Sequence, residues 1–134
     1  MGEIGTYIFD ACALIAFLKN ENGAERIKSI LKEPSNSILM HAVNFGEVYY
    51  NALKISKDEA NNLFDIIDKL PIKLRWDIDK TLLEKAGKYK TTFRMSYADS
   101  YVLAMADISN AQVVSTDHRV HDKFPFLVKP RLCD

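Results

Sequence analysis

Residues 4–18 read I-G-T-Y-I-F-D-A-C-A-L-I-A-F-L, and the change of character inside this run decides the fold. Ile4 to Phe9 is β-branched and aromatic, the composition of a buried strand. At Asp10 the chain passes directly into Ala, Leu and Ile residues that favour helix. A strand that runs without a linker into a helix opens an alternating strand–helix pattern.

The alternation repeats outward from this unit. After the turn residues Asn20, Asn22 and Gly23, apolar Ala24, Ile27, Ile30 and Leu31 fall at helical spacing, and Pro34, Ser35 and Asn36 end the run. Ser37 to His41 (S-I-L-M-H) is a short apolar strand, followed by the helix-start signature Asn44-x-x-Glu47. Ser56-x-x-Glu59 opens a helix with Ala60, Leu63, Phe64 and Ile67 on its apolar face; it closes at Pro71, and Ile72 to Leu74 reads as a brief strand. One helix from about Asp79 carries Leu82, Leu83, Ala86 and Tyr89, and another from Ser96 to Asn110 carries Ala98, Val102, Leu103 and Met105. Gln112 to Ser115 is a strand, and Phe126 with Leu127 in the tail points to an added edge strand. Strands separated by helices predict an α/β fold: a single-domain α/β/α sandwich over residues 1–134 with a central, mainly parallel sheet.

Bulk properties agree with one compact domain. A chain of 134 residues, 48% of them hydrophobic, supports one real core and not two. It lacks both a membrane-length apolar run and the basic and apolar regions of a secretory signal, so a soluble, cytoplasmic protein is expected. Cys12 and Cys133 have no metal-finger or disulfide spacing, and Cys12 reads as a small buried residue. Residues 1–67 hold 6 basic and 9 acidic side chains and residues 68–134 hold 12 and 9, a split of −3 against +3. That modest asymmetry permits a phosphate-bearing substrate without arguing for one.

The informative charges are carboxylates placed by this map. Asp10 ends the first strand, Glu47 follows the second, and Asp117 lies just beyond the Gln112–Ser115 strand, so all three fall at one sheet edge. In parallel sheets ligands bind beyond the carboxyl ends of the strands. Asp99, at the start of the Ser96 helix, reaches the same edge if that helix begins there. Taken singly, each acid also reads as an ordinary cap or turn residue, and Ser56-x-x-Glu59 has the same look with no site role. Taken together, carboxylates at one point repel unless a divalent cation lies between them. Oxygen ligands without Cys or His select Mg²⁺ or Mn²⁺ and point to phosphodiester chemistry.

The segments Y-I-F-D-A-C-A-L-I-A-F-L, M-H-A-V-N-F-G-E-V-Y-Y-N-A, M-S-Y-A-D-S-Y-V-L-A-M-A and V-V-S-T-D-H-R-V resemble, in order and spacing, the four motifs of the PIN-domain nucleases, which include the VapC-type toxins. The resemblance covers nearly the whole chain. It implies that Asp10, Glu47, Asp99 and Asp117 are both the catalytic residues and the metal ligands, with Mg²⁺ (or Mn²⁺) as cofactor. It also implies a metal-dependent endoribonuclease acting on RNA, the toxin of a toxin–antitoxin pair, with an antitoxin protein as partner and a homodimer as its state. Asn44 takes the helix-opening polar position of the second motif and Ser115 is the hydroxyl neighbour of Asp117. Two departures stand out: Cys12 replaces the usual Ser or Thr, and His118-Arg119-Val120 replaces an acidic-aromatic ending.

Two other readings keep the family: a PIN nuclease of RNA maturation or decay, and a non-catalytic PIN-like domain that binds RNA or protein. A haloacid-dehalogenase phosphatase also opens with a strand-ending Asp but requires a second Asp where this chain has Cys12. Among the remaining polar residues, His41 is expected within an apolar strand, His118 and His121 flank a tail turn, and Asp107 reads as solvated. Lys88, Lys90, Arg94, Arg119 and Lys123 form either a phosphate-binding rim or a solvated face. Tyr49, Tyr50 and Phe64 exceed what one sheet needs to cover; most are expected in the core and some at a dimer interface or partner groove.

Overall fold

The computed structural model describes residues 5–117. Strand β1 (Thr6–Phe9) leads into α1 (Ala11–Leu18) and α2 (Ala24–Lys32), then β2 (Ser37–His41), α3 (Ala42–Leu53), α4 (Lys57–Lys69) and β3 (Lys73–Arg75). Helices α5 (Lys80–Phe93) and α6 (Tyr97–Ser109) precede β4 (Gln112–Val114). The strands form one sheet in the order β3-β2-β1-β4, and every pairing is parallel. The expected edge strand at Phe126 and Leu127 lies outside the described residues, as do His118, Arg119, His121 and Lys123.

Strand periodicity of two divides the apolar residues between two layers. Tyr7, Phe9, Ile38, Met40 and Val114 point to one face, where they pack with Leu14, Ile27, Phe45, Leu63 and Ile67 from α1 to α4. Ile8 and Val113 point to the other, against Leu82, Ala86 and the run Tyr101–Ala106 of α5 and α6. Because α6 is buried on nearly all sides, its sequence is almost uniformly apolar after its first turn. Both faces are therefore covered, as a parallel sheet requires. No helix among the described residues is long and apolar enough to cross a membrane.

Most helix starts follow the side-chain chemistry at the cap. Ser56, Asp79 and Ser96 accept the backbone N–H of Glu59, Leu82 and Asp99 at the starts of α4, α5 and α6. Helix α3 differs: Asn44 is not its cap, because His41 is. The His41 Nδ1 accepts the Val43 N–H at 3.0 Å, so α3 begins at Ala42 and Glu47 stands in its second turn. His41 is thus the last residue of β2 and the hinge into α3. Ser56→Ala is expected to cost about 1 kcal/mol in urea unfolding, the worth of an N-cap, without altering the chemistry of the sheet edge.

Strand order fixes where a site forms. From β1 the chain steps outward through β2 to β3, then returns to place β4 on the opposite side of β1. The reversal leaves a crevice beyond the carboxyl ends of β1 and β4.

Candidate metal centre

Asp10 occupies that crevice at the end of β1. It is 4% exposed, and its Oδ1 caps α1 by accepting the Ala13 N–H at 2.8 Å. Its own N–H donates to the Val114 carbonyl at 3.3 Å, which ties it to the end of β4. The buried Ser115 hydroxyl also hydrogen-bonds the Asp10 carboxylate, and Ser115 Oγ accepts the Asp117 N–H at 3.0 Å. The two acids at the ends of β1 and β4 are therefore joined through one hydroxyl.

Asp99 and Glu47 arrive on helices. Ser96 Oγ accepts the Asp99 N–H at 3.1 Å, which places Asp99 in the first turn of α6. Asn44 is fully buried, and its Nδ2 donates to the Ala98 carbonyl at 2.9 Å, bracing the α3 turn before Glu47 against the α6 turn before Asp99. From the sequence Asn44 reads as a helix-opening residue; its brace to α6 has no sequence signature, because it depends on a contact 54 residues away.

Electrostatics shows that the acids share one neighbourhood. Burial pushes the Asp10 carboxyl up to about 7 against the hydrogen bonds from Ser115 and Ala13, and the charges of Asp99 and Asp117 add to the rise. Glu47 is raised by burial and by Asp99. Cys12, expected to be buried, is exposed, because residues 11, 13, 14 and 16 take the inward face of α1 and leave position 12 outside. Partial desolvation and the charges of Asp10, Asp117, Asp99 and Glu47 push its thiol up to about 12, so it stays protonated. Asp107, expected to be solvated, is half-engaged at the surface with Lys85 Nζ at 3.2 Å and the Tyr89 hydroxyl at 3.3 Å, and is not among these acids.

The donor set suits a hard divalent cation: carboxylate oxygens in excess, one of them deeply buried at the price of a raised pKa. The buried Asn44 Oδ1, between the helices of Glu47 and Asp99, has no hydrogen-bond partner among the described residues, and supplies one more oxygen acceptor there. No group of three His, Cys, Asp or Glu side chains among the described residues already stands arranged to hold an ion. The mutual charges of Asp10, Asp99 and Asp117, and of Glu47 and Asp99, raise one another's pKa.

The PIN domain family model matches residues 7–127. The chain belongs to the PIN-domain family. Solved structures share this PIN fold over most of their length. A toxin–antitoxin complex from Klebsiella pneumoniae matches with a TM-score of 0.72 at 16% identity, covering 93% of this chain and 98% of that one. DNA-bound VapBC from Salmonella typhimurium gives 0.69 at 18% identity, covering 93% and 96%. VapC20 from Mycobacterium tuberculosis, a sarcin–ricin loop cleaving toxin, gives 0.67 at 12% identity, covering 83% and 89%. At such identities the likeness carries the fold of this PIN domain and not its substrate. No curated protein sequence matches the chain.

Proposed function

We propose that the chain, a single PIN domain over residues 1–134, is a divalent-cation-dependent endoribonuclease and the toxin of a toxin–antitoxin pair, acting in the cytoplasm. The observation that carries the proposal is the buried Asp10 carboxylate at the end of β1, tied to the end of β4 through Val114 and through Ser115, which also holds the Asp117 backbone. Asp10, Glu47, Asp99 and Asp117 are the ligands in this reading, for Mg²⁺ or Mn²⁺. A bound cation of this kind supplies Lewis-acid stabilisation of the phosphate and lowers the pKa of a water. Ser115 orients Asp10 and the backbone at Asp117 at once, and Asn44 sets the distance between the helices bearing Glu47 and Asp99. The solved complexes of similar fold contain toxins with antitoxins, which supports an antitoxin partner; a homodimer belongs to the same reading as a proposal.

The test is cleavage of a structured RNA pool with Mg²⁺ or Mn²⁺, comparing the parent protein with Glu47→Gln and with an EDTA control. Cation-dependent cutting that falls at least about a hundredfold in the variant supports the reading. Equal cutting by parent and variant, or cutting that survives EDTA, overturns it.

A further inference from the structure

The strand registers place one more residue beside the acids. Ile8 pairs with Leu39, Phe9 with Val114, and His41 with Arg75. Continued to the strand ends, these pairings set Ser115, Asp10, His41 and Arg75 in one row across the carboxyl edge of the sheet. With neighbouring strands about 4.8 Å apart, the Arg75 backbone lies roughly 10 Å from that of Asp10. The next residue, Trp76, is the only tryptophan of the chain and is 65% exposed.

The backbone around Trp76 is fixed while its indole is left open. The Arg75 guanidinium binds Asp77 through Nε at 3.2 Å and Asp79 through Nη2 at 3.0 Å. The Asp77 carbonyl lies 2.9 Å from Nε2 of the buried His41, and the Asp79 carboxylate caps α5. A large aromatic held by pinned neighbours binds with little ordering cost. Within residues 73–80 only Ile78 joins it as an exposed large apolar side chain, and charged residues flank both. Arg75 already pairs with two carboxylates, so the loop offers an aromatic face and not a phosphate clamp.

We infer that Trp76 is a stacking platform for a nucleotide base of the bound RNA strand, next to the acidic centre along the sheet edge. The inference rests on the ribonuclease reading and deepens it. Base stacking on an aromatic ring is tolerant of sequence, so the platform contributes affinity and strand path more than base choice.

Because Trp76 is the single tryptophan, its emission reports the site directly. A short unstructured RNA oligonucleotide titrated into Asp99→Asn protein is expected to quench that emission saturably. Trp76→Ala should weaken binding of the same labelled oligonucleotide about tenfold, with Trp76→Phe retaining most of the affinity. In otherwise unaltered protein, Trp76→Ala should raise KM for RNA and leave kcat and the far-ultraviolet circular dichroism unchanged. Parent-like KM and affinity in Trp76→Ala, with parent cleavage intact, overturns the platform and leaves the nuclease reading standing. Quenching without cleavage by the parent protein supports the platform and overturns the nuclease reading. Emission that changes with protein concentration alone, alongside a change in oligomeric state, assigns Trp76 to an interface between copies and overturns the platform.

Discussion

Asp10→Asn is expected to abolish cation-dependent RNA cleavage and, in EDTA at pH 8, to melt several degrees above the parent protein. The two effects have one origin. Asp10 is buried and its carboxyl is raised from 3.8 to about 7, chiefly by desolvation, so its ionised form is costly in the folded state. For an acid raised in this way the folded state holds more protons than the unfolded state between those two values. Stability therefore falls as pH rises from about 4 through 7, and above that the cost is on the order of 2–4 kcal/mol. Asparagine keeps the shape and the oxygen that caps α1, and removes the charge. The melting difference should vanish near pH 4, open between pH 5 and 7, and level off above pH 8. Adding Mg²⁺ or Mn²⁺ should stabilise the parent and leave the variant unmoved, closing or reversing the gap. A variant that melts below the parent at every pH would overturn the cost assigned to the buried Asp10 charge, because asparagine retains the cap.

This coupling explains which parts of the site were legible in the sequence. Asp10 and Asp117 follow from strand ends alone, because a parallel sheet delivers those ends to one edge. Ser56, Asp79 and Ser96 start their helices where the sequence places them, because a short polar side chain beside its own helix is a local device. Asp99 needed the family resemblance: nothing local says that α6 begins at the sheet edge. Three features were not readable. Histidine is not a usual cap, so the sequence points to a helix start at Asn44, whereas α3 begins at Ala42. The apolar neighbours of Cys12 read as core, although helix periodicity turns position 12 outward. Asn44 and Ser115 act through partners far away in the chain, and such contacts have no sequence signature.

His41→Ala is expected to lower the unfolding free energy by about 3 kcal/mol, a large share of the stability of a domain this size. His41 joins four elements at one buried point. Its Nδ1 accepts the Val43 N–H and so must be unprotonated, while its Nε2–H donates to the Asp77 carbonyl in the loop that leads to α5. Its ring stacks on Tyr101 of α6 at 5.3 Å between centroids, and the Tyr101 hydroxyl pairs with that of Tyr97. Alanine removes a cap worth about 1 kcal/mol, leaves the Val43 N–H and Asp77 carbonyl short of partners at about 1 kcal/mol or more each, and opens a void beside Tyr101. These terms overlap, which is why the total stays near 3 kcal/mol. His41→Asn separates them: asparagine is short but a strong cap, so it should hold α3 while losing Asp77 and the stack, and recover about 1 kcal/mol of the loss. Urea midpoints with unchanged slopes measure both values. Equal losses in the two variants would remove capping from the account and leave the packing against Tyr101 as the reason His41 stands there. A recovery near 1 kcal/mol would make the start of α3, and with it the placement of Glu47, depend on a single imidazole nitrogen.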